Sequence, residues 1–219
     1  MTNTRSQYDS LGTTYLIVAG IVFVIVAVAF AFVLIRYRAG RDPSRAPGER
    51  DKHTLAEVAY VVVLIGVTAF LVTITFKTLS REDGITRAAA NSPHSLRVRV
   101  VAAQWTWRFE YEGNPVVTIP PPQNKPTPLY VPVGRPILFT GRSQDVLHQF
   151  WVPDVRFKRQ IWPDHDEQWG MVFPSAGVFE GVCNWFCGLW HQNMRFDVIA
   201  LPGQRFDRWL SVQRRKAAR

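Results

Sequence analysis

Both cysteines of the chain lie in one stretch, Cys183-Asn184-Trp185-Phe186-Cys187-Gly188-Leu189-Trp190-His191-Gln192-Asn193-Met194, together with a histidine and a methionine. Two thiolates, an imidazole and a thioether are soft donors, a set that suits copper best. Coiled as an α-helix, the stretch would put Cys183 and His191 roughly 12 Å apart at 1.5 Å of rise per residue. Metal–ligand bonds of about 2 Å cannot bridge that gap. Residues sharing a metal therefore require a folded-back loop, and Gly188 gives the backbone freedom to turn. A local disulfide or a pair of buried thiols would account for the cysteines but leaves the His and Met that follow unexplained. Zinc with two Cys and two His satisfies the ligand count, and the methionine argues for copper instead.

The stretch resembles the copper loop of cytochrome c oxidase subunit II, Cys-x-Glu-x-Cys-Gly-x-x-His-x-x-Met, which builds the binuclear copper centre CuA. Every position matches except the Glu, where this chain has Trp185. The family uses the backbone carbonyl of that residue as a ligand, and Trp185 still offers one. The family's Glu side chain also bridges to a magnesium or manganese ion at the boundary with subunit I, and Trp185 has no carboxylate for that task. The form Cys-Asn-x-aromatic-Cys-Gly-Leu-x-His-Gln-Asn-Met is nearest the ba3-type branch, which also lacks the Glu.

Holding two coppers calls for a second imidazole from elsewhere. The segment Ser143-Gln144-Asp145-Val146-Leu147-His148-Gln149-Phe150-Trp151-Val152-Pro153 is similar to the family's Ser-x-Asp-Val-x-His-x-Phe/Trp-x-x-Pro, which makes His148 the candidate. The resemblance thus implies a ligand set of His148, Cys183, the Trp185 carbonyl, Cys187, His191 and Met194. In the family each copper has one His, both share the thiolates, and Met and the carbonyl are weak ligands. Gln104-Trp105-Thr106-Trp107-Arg108-Phe109-Glu110-Tyr111 resembles the family's aromatic box, Gln-Trp-x-Trp-x-Phe/Tyr-x-Tyr. Its first Trp receives the incoming electron, a role that falls by residue match on Trp105. His191 would mark the way out towards haem in subunit I, and Gln160 stands where the family often carries an acid near that boundary.

The elements that position these residues are of two kinds. Leu16 to Ile35 is apolar or small without a break, and about 20 such residues span a bilayer core. The run is longer than a signal-peptide core and ends in Arg36-Tyr37-Arg38 rather than a cleavage site, so a retained helix is expected. A second span, about 56–76, contains Gly66, Thr68, Thr73 and Thr75, which suit close packing between membrane helices. Arg36, Arg38, Arg41, Arg45, Arg50 and Lys52 lie between the spans, against a lone Arg5 before them. The positive-inside rule makes the loop 36–55 cytoplasmic. Both termini, and everything after about Lys77, then lie outside a bacterial plasma membrane.

Residues 78–95 read as a linker. From Leu96 the pattern becomes alternating, with short strands expected at Leu96–Ala102, Arg135–Thr140, Gln168–Phe173, Val178–Val182 and Phe196–Leu201. The aromatic box, in a strand, would line one face with Trp105, Trp107, Phe109 and Tyr111. Short strands with Gly and Pro punctuation suggest an all-β sandwich or barrel, and the resemblance makes it a cupredoxin-like Greek-key barrel over 96–203. Residues 204–219 read as a basic tail.

The implied function is the electron-receiving subunit of a haem-copper terminal oxidase, taking electrons from cytochrome c or another small donor and passing them to haem in subunit I. Further oxidase subunits and membrane lipid would be its other partners. The net charge of +9 is moderate and its Lys and Arg are scattered or flank apolar spans, so a nucleic-acid partner is not expected. The basic excess also suggests a donor that docks through apolar and aromatic contacts. No Cys-x-x-Cys-His occurs, so haem belongs to the partner chain. The CuA subunit of a nitric oxide reductase is the alternative within the superfamily. A membrane-tethered copper chaperone would want exposed, labile ligands, and a quinol oxidase subunit lacks the ligand set.

Overall fold

A computed structural model describes residues 4–37, 53–113, 116–119 and 125–218. They form two compact units, residues 9–78 and residues 79–218 joined by the first residues up to Tyr8.

The first unit consists of the greater part of two helices, α1 (Thr4–Tyr37) and α2 (Thr54–Asn91). Both are apolar around their circumference over these spans, with residues such as Phe23 and Ile35 largely exposed. That texture belongs in lipid, and each helix is long and apolar enough to cross a membrane. Tyr15 of α1 hydrogen-bonds Thr75 Oγ1 of α2 at 2.7 Å. Of the loop expected over 36–55, positions 38–52, with Arg38, Arg41, Arg45, Arg50 and Lys52, lie outside the described residues.

Both helices run past the apolar spans. The expected linker 78–95 is helical as far as Asn91, because the polar residues of this extension find partners on the second unit. Glu82 is buried and accepts hydrogen bonds from Tyr8 and Arg159. Thr86 Oγ1 accepts the backbone N–H of Gly170 at 3.0 Å. A Cβ at Gly170 would lie 2.8 Å from the Ile85 carbonyl, so only glycine allows that approach.

The second unit is a cupredoxin-like β-sandwich. One sheet has the order β3-β2-β1-β5-β8, from Val116–Thr118, Thr106–Tyr111, Leu96–Ala103, Ile137–Ser143 and Glu167–Met171. The other has the order β4-β10-β9-β6-β7, from Thr127–Pro132, Arg195–Leu201, Gly177–Cys183, His148–Val152 and Phe157–Ile161. Strands β1 and β5 run parallel, as do β4 and β10, while the other pairings are antiparallel. Alternation places Trp107, Phe109 and Tyr111 of β2 inside. Trp107 packs edge-on against Phe150 and Phe196, and Phe150 stacks on Phe196 at 4.5 Å.

Two expectations are corrected here. Trp105 does not share the buried face of β2, because it sits in the turn before the strand and is half-buried. Of the expected basic tail, the part as far as Ala217 is helical: α3 (Gly203–Ala217) buries Phe206 and stacks Trp209 on Tyr130 at 4.3 Å. Phe206, Trp209 and Leu210 stand at i, i+3 and i+4, an apolar stripe on an otherwise basic helix.

Candidate metal centre

The stretch 184–194 is the connection between β9 and β10. Its base is closed by the Cys183 N–H donating to the Met194 carbonyl at 3.0 Å. Cys183 ends β9 and pairs in register with neighbouring strand β6 at Phe150, two residues along from His148. The loop turns at Gly188, whose φ of +113° lies where a side chain would be strained. It then forms one 3-10 turn at His191–Asn193, which carries His191 and Met194 back towards Cys187. The sequence requirement for a folded-back loop is met by this geometry.

The six groups implied by the resemblance converge. Cys183 Sγ lies 3.9 Å from Cys187 Sγ, 3.7 Å from His148 Nδ1 and 3.3 Å from the Trp185 carbonyl oxygen. Cys187 Sγ lies 3.4 Å from His191 Nδ1 and 3.9 Å from Met194 Sδ. Each thiol therefore has its own imidazole, and the two thiols face one another unbonded. Cys183, Cys187, His148 and Met194 are buried, while His191 is partly open.

The donor set fits copper, because soft sulfur and imidazole donors select it.

The two thiols hold their protons unevenly. Burial by itself would raise the pKa of Cys183, but its contacts with His148 and with the backbone of Gln149 and Trp185 hold it below the usual thiol value. Cys187 is pushed up to about 12, by burial first and then by the charge on Cys183. Burial disfavours a charged His148, yet Cys183 and Asp145 together keep its pKa above the ordinary imidazole value.

Around these groups stand residues whose contacts with the loop the sequence did not disclose. Trp105 Nε1–H and Gln104 Nε2–H both donate to the Cys187 carbonyl, at 3.1 and 2.7 Å. Trp107 Nε1–H donates to the Met194 carbonyl at 3.3 Å. Asp145 accepts from His148 Nε2 at 2.8 Å, and its place three residues before the histidine was the one available signal. Gln160, on β7, pairs with Gln149 of β6, and Asn184 Nδ2 donates to the Gln149 side chain at 3.1 Å.

Outside the centre, the acidic cluster 164–167 is largely occupied by cations. Asp166 meets Arg99 and Arg142, and Glu167 meets Arg159. By contrast Phe186 and Leu189 are each 78% exposed, and Trp190 and Trp185 about half exposed, on the loop 184–194 itself.

Residues 124–201 match the family described as cytochrome c oxidase subunit II, periplasmic domain. The chain is 27% identical over 207 residues to a cytochrome c oxidase subunit 2 of Alkalihalophilus pseudofirmus, covering 93% of this chain and 57% of that one. It is 24% identical to a quinol oxidase subunit 2 of Bacillus cereus, covering 94% of this chain and 68% of the relative. The chain thus spans little more than half the length of the first of these relatives. The crystal structure of the periplasmic domain of cytochrome oxidase subunit II of Bradyrhizobium japonicum superposes with a TM-score of 0.51 at 22% identity, over 57% of this chain and 97% of that one. Residues 124–201 thus resemble the periplasmic domain of cytochrome c oxidase subunit II, and the sandwich has the fold of the Bradyrhizobium japonicum domain.

Proposed function

We propose that this chain receives electrons from a small donor outside a bacterial membrane and hands them to the haem-bearing subunit I of an oxygen-reducing haem-copper oxidase. The observation that carries this reading is the convergence of His148, Cys183, Cys187, His191 and Met194 with the Trp185 carbonyl, under an indole that touches the Cys187 carbonyl. A copper pair held there would take up and release one electron at a time, its charge shared over both thiolates.

The chain's own residues limit how far the ligands can move when that charge changes. Cys183 is fixed by the strand pairing of β9, His148 by β6, and Met194 by the loop closure and by Trp107. Ligands supported this way are held near one geometry. Trp105, half-buried and bonded to the loop, is placed to receive the electron, and His191, partly open, to pass it on. Trp185 brings no carboxylate for a magnesium or manganese ion, so no such ion is assigned to this chain.

Phe186, Leu189 and Trp190 offer an apolar and aromatic face, with the nearest acidic cluster already paired. Aromatic residues are enriched at interface hot spots, and such a face suits a donor that is not strongly basic. Two membrane helices, subunit I and further oxidase subunits complete the proposed assembly. The retained ligand set favours a cytochrome-type donor over quinol.

The test is rapid mixing of the purified complex with reduced cytochrome c. Copper absorption should change first and haem second, and haem reduced with no preceding copper phase would refute the relay. Oxygen consumption by the same complex separates the oxidase from a nitric oxide reductase.

A further inference from the structure

Asp145 lies between the two halves of the centre and belongs to neither. Its Oδ1 accepts from His148 Nε2 at 2.8 Å and from the Val146 N–H at 2.7 Å. Its Oδ2 accepts from the backbone N–H of Gln104 at 2.6 Å. Gln104 and Trp105, the two residues of that turn, in turn clamp the Cys187 carbonyl. A continuous run of hydrogen bonds therefore leads from His148 through one carboxylate to the turn that carries Trp105, and ends on the loop of the second thiol. His191 has no part in it among the described contacts.

We propose that Asp145 is a positioning residue, holding the His148 ring so that Nδ1 faces the thiols while fixing the Gln104–Trp105 turn against Cys187. With Nε2–H given to a carboxylate, Nδ1 is the nitrogen left to bind, and it is the one that faces Cys183. Metal-binding histidines are oriented this way by carboxylates in general. What is particular here is that the same carboxylate holds the turn bearing Trp105, and that it serves one histidine and not the other.

The inference rests on the two-copper reading, and its test distinguishes the two. Copper affinity and the electron spin resonance spectrum are measured on the full chain for wild type, Asp145→Ala and Asp145→Asn. The alanine variant should lose about 10–100-fold in copper affinity, and its hyperfine pattern should change from two equivalent copper nuclei to two unequal ones. Asparagine, which can accept from one of the two donors but opposes the other with its amide, should fall between. If the alanine variant does not fold, the isosteric asparagine variant decides alone. Affinity within about twofold of wild type and an unchanged spectrum in the folded variants overturns the positioning role. Equal losses in both variants with an unchanged spectrum would trace to charge alone and overturn it as well. A wild-type chain that binds no copper pair removes the reading beneath it.

Discussion

The indole N–H of Trp105 donates to the carbonyl oxygen of Cys187 at 3.1 Å. A single ring thereby reaches both the surface, where a donor can meet it, and the backbone of a thiol that would hold metal. Trp105→Ala is expected to lower the second-order rate of donor oxidation by on the order of thirtyfold, the loss of a hot-spot contact of about 2 kcal/mol. Copper content should be unchanged. Trp105→Phe keeps an aromatic ring while losing the hydrogen bond and part of the contact surface, so its defect should be smaller.

Copper uptake should strengthen with pH. Cys187 is pushed up to about 12 by burial and by the charge on Cys183, so at neutral pH a metal must displace its proton. Below that value, apparent affinity should rise about tenfold per pH unit for each proton displaced. His148, raised above the ordinary imidazole range, adds a second proton at the acid end. Competition titrations against a chelator between mildly acidic and mildly alkaline pH measure the slope, and a flat profile would mean both thiols are already ionised.

Tyr111 tests the sandwich independently of the metal. Its hydroxyl donates to the Tyr130 carbonyl at 2.9 Å and accepts the Tyr130 N–H at 2.8 Å. Tyr111→Phe leaves both backbone groups without that partner and should cost about 1–3 kcal/mol, read from the urea midpoint of tryptophan fluorescence. Burial also holds the phenol above its ordinary pKa of 10.0. The folded state therefore keeps its proton more tightly than the unfolded one, and this contribution to stability is full below about pH 10 and lost as pH rises beyond it. The stability gap between wild type and the phenylalanine variant should consequently narrow as pH rises above about 10.

Tyr111 itself stands on the strand face that the alternation of the aromatic box predicts. The copper loop was legible because four donors crowd twelve consecutive residues, and His148 because its flanking residues form a motif. Strands with clean alternation, such as Leu96–Ala103, were legible for the same local reason. The extension of α2 was not, since Arg81, Glu82 and Asp83 read as loop until Arg159 and Tyr8, distant in sequence, bury the glutamate. In α3 the apolar stripe was masked by the surrounding arginines and lysine. Trp105 was assigned to a strand face because every second residue after it is aromatic, whereas the turn at Gln104 frees it to meet the loop.

Ionic strength tests the proposed docking face. Steered association between opposite charges slows steeply as salt rises. With Phe186, Leu189 and Trp190 exposed and Asp166 and Glu167 paired, donor oxidation should change little with salt. A steep fall would show that a basic donor finds an acidic surface after all.

The central claim is that side chains from two separated segments, with one backbone carbonyl, close around a pair of coppers. Metal analysis with electron spin resonance of the purified full chain tests it most directly. The account predicts two copper ions per chain and one unpaired electron split equally by both nuclei. One copper or none, with Cys183 and Cys187 joined as a disulfide in the native assembly, would contradict it.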